Sequence, residues 1–74
     1  MKVTVKLFAT FRNGRFKQDQ RDYPDGVSCR QVVVDVGVSE DELGMVLVNG
    51  RHASLDQALN DGDTLSIFPL LGGG

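Results

Sequence analysis

The apolar residues of this chain switch from one spacing to another, and that switch constrains the fold more than any other feature. In the first eleven residues they recur at every second position: Val3, Val5, Leu7, Ala9 and Phe11. Side chains at this period share one face of a β-strand. Between residues 29 and 36 they fall at helical spacing instead: Cys29, Val32, Val33 and Val36. The chain is therefore expected to combine strands with one helix in an α+β domain.

Capping signals support the helix. Ser28 is a favourable N-cap, Gln31 three residues later completes a capping box, and Gly37 is placed to end the helix. Valine is a mediocre helix former, so the run "VVVDV" also fits a buried strand. The signals at both ends favour the helix.

Turn signals divide the rest of the chain. Asn13-Gly14 predicts a tight hairpin turn, after which a second strand returns through "FKQDQRDY", whose charges are typical of an edge strand. "MVLVNG" and "TLSIFP" predict two more strands, and "RHASLDQALNDGD" between them predicts a loop with at most one helical turn. We therefore expect a mixed sheet of about four strands packed on one main helix, the β-grasp or ubiquitin-like arrangement. This domain would cover residues 1–69, with a flexible tail over 70–74.

Composition excludes several classes of function. The 74 residues carry a net charge of −2 with scattered basic residues, which argues against nucleic acid as a partner. The single cysteine, Cys29, excludes an internal disulfide and a cysteine-ligated metal site. The N-terminus alternates polar and apolar residues, unlike a signal peptide or membrane span, so a cytoplasmic location without membrane contact is expected.

The second half of the sequence resembles a known family. "VNGRHASLDQALNDGDTLSIFPLLGGG" contains V-N-G, L-x-x-x-L-x-D-G-D, an apolar strand ending in F-P, and a terminal Gly-Gly. This pattern is similar to the MoaD/ThiS sulfur-carrier family, and the N-terminal "KVTVKLFATFR" resembles it more loosely. "LFATFR" and "FP" place the chain nearer the small subunit of molybdopterin synthase. The "LLG" before the last two glycines departs from the usual mixed segment of small residues.

The resemblance implies a carrier without catalytic residues or bound cofactor. An E1-like adenylating enzyme of the MoaB, MoeB or ThiF type would use ATP and Mg²⁺ to activate the carboxylate of Gly74, and a persulfide from a cysteine desulfurase or rhodanese would convert it to a thiocarboxylate. A larger synthase subunit of the MoaE type would then receive the sulfur for molybdopterin. The tail residues Leu70, Leu71, Gly72 and Gly73 would carry Gly74 into the partner's channel, for which glycine leaves the backbone unobstructed.

Other functions remain open at this point. The sulfur could serve thiazole or another metabolite, the chain could be a ubiquitin-like modifier conjugated to lysines, or the domain could be an interaction module whose glycines are a plain linker. Cys29, His52 and the pair Asp61 and Asp63 read more simply as a core residue, a loop residue and turn residues.

Strand alternation also predicts a partner surface. If Val3, Val5 and Leu7 face the helix, Phe8 faces the opposite way, as does Phe68 in the last strand. The first and last strands are central neighbours in a β-grasp sheet, so the two rings should meet on the open face near the tail and mark a partner interface. Leu59 is expected at the same interface. Alternatively, the loop that carries Leu59 and Leu55 covers part of this face.

Overall fold

The computed structural model describes residues 1–70 and has five strands and one α-helix within them. The elements are β1 (Lys2–Leu7), β2 (Gln18–Asp22), α1 (Cys29–Asp35), β3 (Leu43–Val48), β4 (Arg51–His52) and β5 (Thr64–Pro69). The strand order is β2-β1-β5-β3-β4, with β1 and β5 parallel and the other neighbours antiparallel. This confirms the mixed β-grasp sheet and places β2 at an edge. The two-residue strand β4 is an addition to the four expected strands.

The core lies between α1 and one face of the sheet. It contains alternate residues of the two central strands and the apolar stripe of the helix: Val3, Val5, Leu7, Leu65, Ile67, Cys29, Val32 and Val33. These side chains are all fully buried, and each Val, Leu or Ile removed from water contributes about 1.5–3 kcal/mol before entropy is counted. No helix among residues 1–70 is long and apolar enough to cross a membrane.

The capping box that favours a helix over a strand is confirmed. Ser28 Oγ accepts a hydrogen bond from the Gln31 backbone N, and the Gln31 side chain accepts one from the Ser28 backbone N at 2.8 Å. At the other end Gly37 has φ +82°, which suits glycine. The Arg15 guanidinium donates to the carbonyls of Val36 and Gly37 at 3.2 and 2.7 Å, so it satisfies acceptors that the helix end leaves free.

The first hairpin is more elaborate than expected. β1 ends at Leu7, and the following residues form a 3-10 helix over Ala9–Arg12, so the expectation of a strand running through Phe11 is wrong. Ala9 is exposed with φ +52°, whereas Phe11 still reaches the core. Asn13 has φ −66°, which rules out a turn with two positive φ values at Asn13-Gly14. The antiparallel pairing of β1 with β2 is nevertheless as predicted.

The tight Asn-Gly turn occurs later in the chain. Asn49 and Gly50 both have positive φ, 51° and 82°, and Val48 pairs with Arg51 across them. A turn with two positive φ values matches the twist of its flanking strands. This turn creates β4, which the sequence analysis assigned to a loop.

The segment between β4 and β5 packs against α1. It is a loop without a helical turn. Its backbone carbonyls at Gln57 and Leu55 accept from the N–H groups of Cys29 and Arg30 at 3.0 and 2.9 Å, donors that the first turn of a helix leaves free. The Leu59 N–H donates to Val27 at 2.8 Å, and its side chain is 2% exposed in the core. The placement of Leu59 on a partner surface is therefore wrong, because backbone pairing with the α1 entry turns it inward.

Candidate functional site

The open face of the sheet carries an aromatic stack. The rings of Phe8 and Phe68 are 4.1 Å apart between centroids and inclined by 10°. Phe8 directly follows β1, and its N–H donates to the Ile67 carbonyl at 3.2 Å, so the parallel pairing extends far enough to align the two rings. The expected meeting of these two rings is confirmed. Their role as a partner interface stays a prediction.

Apolar surface continues next to the stack. Met45 in β3 pairs directly with Phe68 in β5, so the two side chains share the open face. Met45 is 36% exposed. Phe8, Phe68 and Met45 together are called the apolar patch below. The segment that carries Leu55 and Leu59 packs on the helix side of the sheet, so it does not cover this patch.

Basic side chains flank the patch on the β1–β2 side. The Arg12 guanidinium lies 5.3 Å from the centre of the Phe8 ring, and its Nε donates to the Leu7 carbonyl at 2.8 Å. The ring and the carbonyl together fix the orientation of the guanidinium. A shallow depression of about 130 Å³ lies here, lined by Lys6, Phe8, Arg12, Lys17 and Gln18.

The tail leaves the fold at the other side of the patch. Leu70 follows β5, and its N–H donates to the Glu42 carbonyl at 2.9 Å, while its side chain is 62% exposed. This hydrogen bond fixes the backbone as far as the Leu70 nitrogen. The predictions for Leu71, Gly72, Gly73 and Gly74 lie outside the described residues.

Gly44 lies beside the point where the tail leaves the fold, and it was not among the site residues predicted from the sequence. The β3–β5 register shifts between Leu43 and Met45, which marks a bulge at Gly44. A Cβ at this position would lie 2.5 Å from the Pro69 carbonyl oxygen and 3.1 Å from the Leu70 nitrogen. Glycine therefore lets β3 approach the last residues of β5. A glycine inside a strand pattern is a known sign of a bulge or a close backbone approach, so the signal was present in "ELGMVLV".

The remaining reactive side chains have structural roles. Cys29 is fully buried in the core, and burial raises the pKa of its thiol, which disfavours the reactive thiolate. The carboxylates of Asp61 and Asp63 bind neighbouring loops and strands. Asp63 accepts hydrogen bonds from the Asn49 side chain and the Asn60 backbone, both at 2.8 Å, and Asp61 accepts one from the Lys2 backbone. His52 is exposed on β4. Residues 1–70 contain no group of three His, Cys, Asp or Glu side chains that could hold a metal ion.

A protein-family model matches this chain. The ThiS family matches residues 5–74, which is nearly the whole chain and includes the glycine tail. None of the curated proteins gives a significant match.

Solved structures share the fold over nearly their full length. A protein assigned as subunit 1 of the molybdopterin converting factor from Pyrococcus furiosus is 31% identical, with a TM-score of 0.75 over 93% of this chain and 97% of that chain. SAMP1, a small archaeal modifier protein from Haloferax volcanii, is 25% identical, with a TM-score of 0.76 over all of both chains. Subunit 1 or 2 of the molybdopterin-converting factor in a complex from Helicobacter pylori is 20% identical, with a TM-score of 0.68 over all of both chains, and shows likeness of fold alone.

Proposed function

The chain belongs to the ThiS family of ubiquitin-like sulfur carriers, and from that premise we propose that Gly74 is adenylated by an E1-like enzyme and converted to a thiocarboxylate. The observation that carries the proposal is the position of Leu70, where the tail begins. β5 ends at Pro69, only one residue beyond the aromatic stack, and the chain then continues through Leu70 toward Gly74. A partner that binds the apolar patch would thus have the tail within its reach.

The chain serves as substrate in this chemistry. A carboxylate oxygen of Gly74 attacks the α-phosphorus of ATP, pyrophosphate leaves, and an acyl-adenylate forms. The outer sulfur of a persulfide then attacks the acyl carbon and expels AMP, and a thiol cleaves the sulfur–sulfur bond to release the thiocarboxylate. The adenylating enzyme would bind ATP and Mg²⁺, and a cysteine desulfurase or rhodanese would supply the persulfide.

The geometry of the exit sets the reach of this carboxylate. Because the Leu70 N–H is bonded to Glu42, the segment free to enter a channel begins after it. Four residues at about 3.3 Å each span about 13 Å when extended. Holding the reacting group at the end of a short tether keeps it close to the partner's site once the patch has docked.

Molybdopterin synthesis is the first pathway that we propose for the sulfur. Its support is the 31% identity with the Pyrococcus furiosus protein assigned to the molybdopterin converting factor. The receiving partner would be a larger synthase subunit of the MoaE type, into whose active site the tail inserts. Carriage of sulfur for thiazole uses the same activated tail and remains the alternative within the family.

A second candidate is covalent protein modification. The similarity to SAMP1, named as a small archaeal modifier, favours it. In this case the Gly74 acyl-adenylate ends as an amide on a lysine of a target protein. High-mass conjugates that disappear when Gly74 is removed would support this second function.

The experiment that tests activation is ATP–pyrophosphate exchange with the cognate adenylating enzyme. The wild type should support exchange, whereas deletion of Gly74 or addition of one residue after it should abolish exchange, because the activated carboxylate is moved or removed. Unfolding curves should coincide for the three proteins. Undiminished exchange with the extended chain would contradict the proposal.

A further inference from the structure

The basic side chains of the described residues fall into two groups. Lys2, Arg21 and Arg30 each form an ion pair with a carboxylate, and Arg15 donates to backbone carbonyls at the end of α1. These four cations therefore have partners within the fold. The other basic side chains have no ion pair among residues 1–70.

Three cations of the second group lie together. Lys6, Arg12 and Lys17 surround the depression next to Phe8, and we call them the cation rim. Lys6 is on the open face because its neighbours Val5 and Leu7 are buried on the other face. Lys17 lies beside Lys6, because the Lys17 backbone carbonyl accepts a hydrogen bond from the Leu7 N–H at 3.0 Å. The three like charges around this depression repel each other.

Arg12 is the pre-organised member of the cation rim. The Leu7 carbonyl and the Phe8 ring hold the Arg12 guanidinium in place, and its two terminal nitrogens make no hydrogen bond within residues 1–70. A guanidinium presents a planar set of donors that fits a carboxylate, and less entropy is lost when it is already oriented. The rim adjoins the apolar patch through Phe8, which is common to both.

We propose that the cation rim binds carboxylate side chains on the adenylating enzyme, at an acidic border beside that enzyme's apolar contact with the patch. The proposal rests on the proposed function, since it takes the adenylating enzyme as the partner. The distribution of charge on this chain also restricts the orientation in which the partner can bind. Its own acidic residues Asp41 and Glu42 are exposed on a second 3-10 helix, Glu40–Glu42, and the Glu42 carbonyl accepts the hydrogen bond from the Leu70 N–H. Cations and carboxylates thus lie on opposite sides of the patch.

This arrangement fixes the orientation in which a partner docks. Complementary charges at the border of an interface act mainly on the association rate and on the register of docking. A partner with carboxylates opposite the rim would meet the open face with its tail-binding channel toward Leu70. The reverse orientation would place those carboxylates against Asp41 and Glu42 and would be repelled.

The test uses the association rate with the cognate adenylating enzyme. Lys17→Glu and the double variant Lys6→Glu/Lys17→Glu reverse charge on the rim. Arg51→Glu is the matched control for Lys17→Glu, because Arg51 is an exposed cation on β4, at the far edge of the sheet, and the two single substitutions change the net charge equally. At low ionic strength Lys17→Glu should associate more slowly than Arg51→Glu, and the double variant should associate about tenfold more slowly than the wild type or slower still. Arg51→Glu should stay close to the wild type.

Salt provides the second readout. The deficit of the double variant should shrink as ionic strength rises from about 0.01 M to about 1 M, where the Debye length falls from about 30 to about 3 Å. Equal rates for Arg51→Glu and Lys17→Glu at low salt would overturn the proposal. A wild-type self-association that the double variant abolishes would also overturn it, since the occupant would then be a second copy.

Failure of this inference differs from failure of the proposed function. If the wild type supports ATP–pyrophosphate exchange but the rim variants associate normally, the inference alone is wrong. If the wild type supports no exchange with any cognate adenylating enzyme, the proposed function is contradicted and the inference falls with it.

Discussion

Phe68 contributes to both the free protein and the interface proposed for it. Its ring stacks on Phe8 at 4.1 Å, and an aromatic pair of this kind stabilises a protein by about 0.5–1.5 kcal/mol. Against a partner, an aromatic anchor contributes more, with hot-spot truncations costing about 2 kcal/mol or more.

Phe68→Ala should therefore weaken partner binding more than it weakens folding. Phe16→Ala is the control, because Phe16 is half-buried like Phe68. Its ring lies 4.8 Å from the Arg21 guanidinium and packs against the core on the other face of the sheet. The measurement is a denaturant unfolding curve and a binding titration for each variant. If Phe16→Ala impaired binding as much as Phe68→Ala, the open face would not be the interface.

Between β3 and β5, the bulge at Gly44 governs where the tail begins. A methyl group there would meet the backbone of Pro69 and not a flexible side chain, so the strands must separate to admit it. Because Leu70 is bonded to Glu42 immediately beside the bulge, the separation would also displace the start of the tail.

Gly44→Ala should destabilise the fold by about 1–3 kcal/mol, as overpacking does, and raise KM for the adenylating enzyme. Gly62→Ala is the control: Gly62 has φ +86°, so alanine there is strained, but it lies before β5, away from the tail. It should lower stability and leave KM unchanged in conditions where both variants are folded. A normal KM for folded Gly44→Ala would show that the tail tolerates a shifted exit.

The edge strand β2 is tied to α1 through Tyr23, which lies just beyond β2. The Tyr23 hydroxyl donates to Asp35 at 2.8 Å. Desolvation, together with the hydrogen bond and negative charge of Asp35, raises the pKa of Tyr23 from 10 to about 12. A raised folded-state pKa means that the stabilisation is complete below pH 10 and is lost as the pH rises toward 12.

The chain contains one tyrosine and no tryptophan, so the phenolate absorbance reports Tyr23 alone. Its midpoint in the folded protein should lie near 12, and Asp35→Asn should lower it partway toward 10 because desolvation remains. Far-UV circular dichroism recorded on the same samples identifies the pH range in which the protein is folded. A wild-type midpoint near 10 in that range would refute the coupling between the edge strand and the helix.

Considered as a whole, the molecule follows its sequence wherever local signals and burial agree. The period-two residues of β1 and the capped stripe of α1 each specify one element and its buried face, so the β-grasp fold and the Phe8–Phe68 pair were both predictable. Asn13-Gly14 and Asn49-Gly50 show that a local turn signal does not by itself determine the turn. The same dipeptide forms a two-residue turn only in the second case, because only there are the flanking residues paired.

Leu59 shows a second limit of prediction from local sequence. A leucine in a polar loop carries no periodicity, and its direction is decided by hydrogen bonds to Val27 and the entry of α1, which are distant in sequence. The cation rim was unpredictable for a similar reason. Lys6, Arg12 and Lys17 are scattered along the chain, and only the β1–β2 pairing and the intervening 3-10 helix bring them together.

The most direct measurement of the proposed chemistry is the intact mass of the protein after incubation with its adenylating enzyme, ATP, Mg²⁺ and a persulfide donor. The mass should rise by the difference between one sulfur and one oxygen, and fragmentation should place the change at Gly74. Omission of ATP, or deletion of Gly74, should prevent the change. Complete recovery of the unmodified mass with an enzyme that adenylates other carriers, or sulfur located at Cys29 instead of Gly74, would contradict the assignment of this protein as a thiocarboxylate carrier.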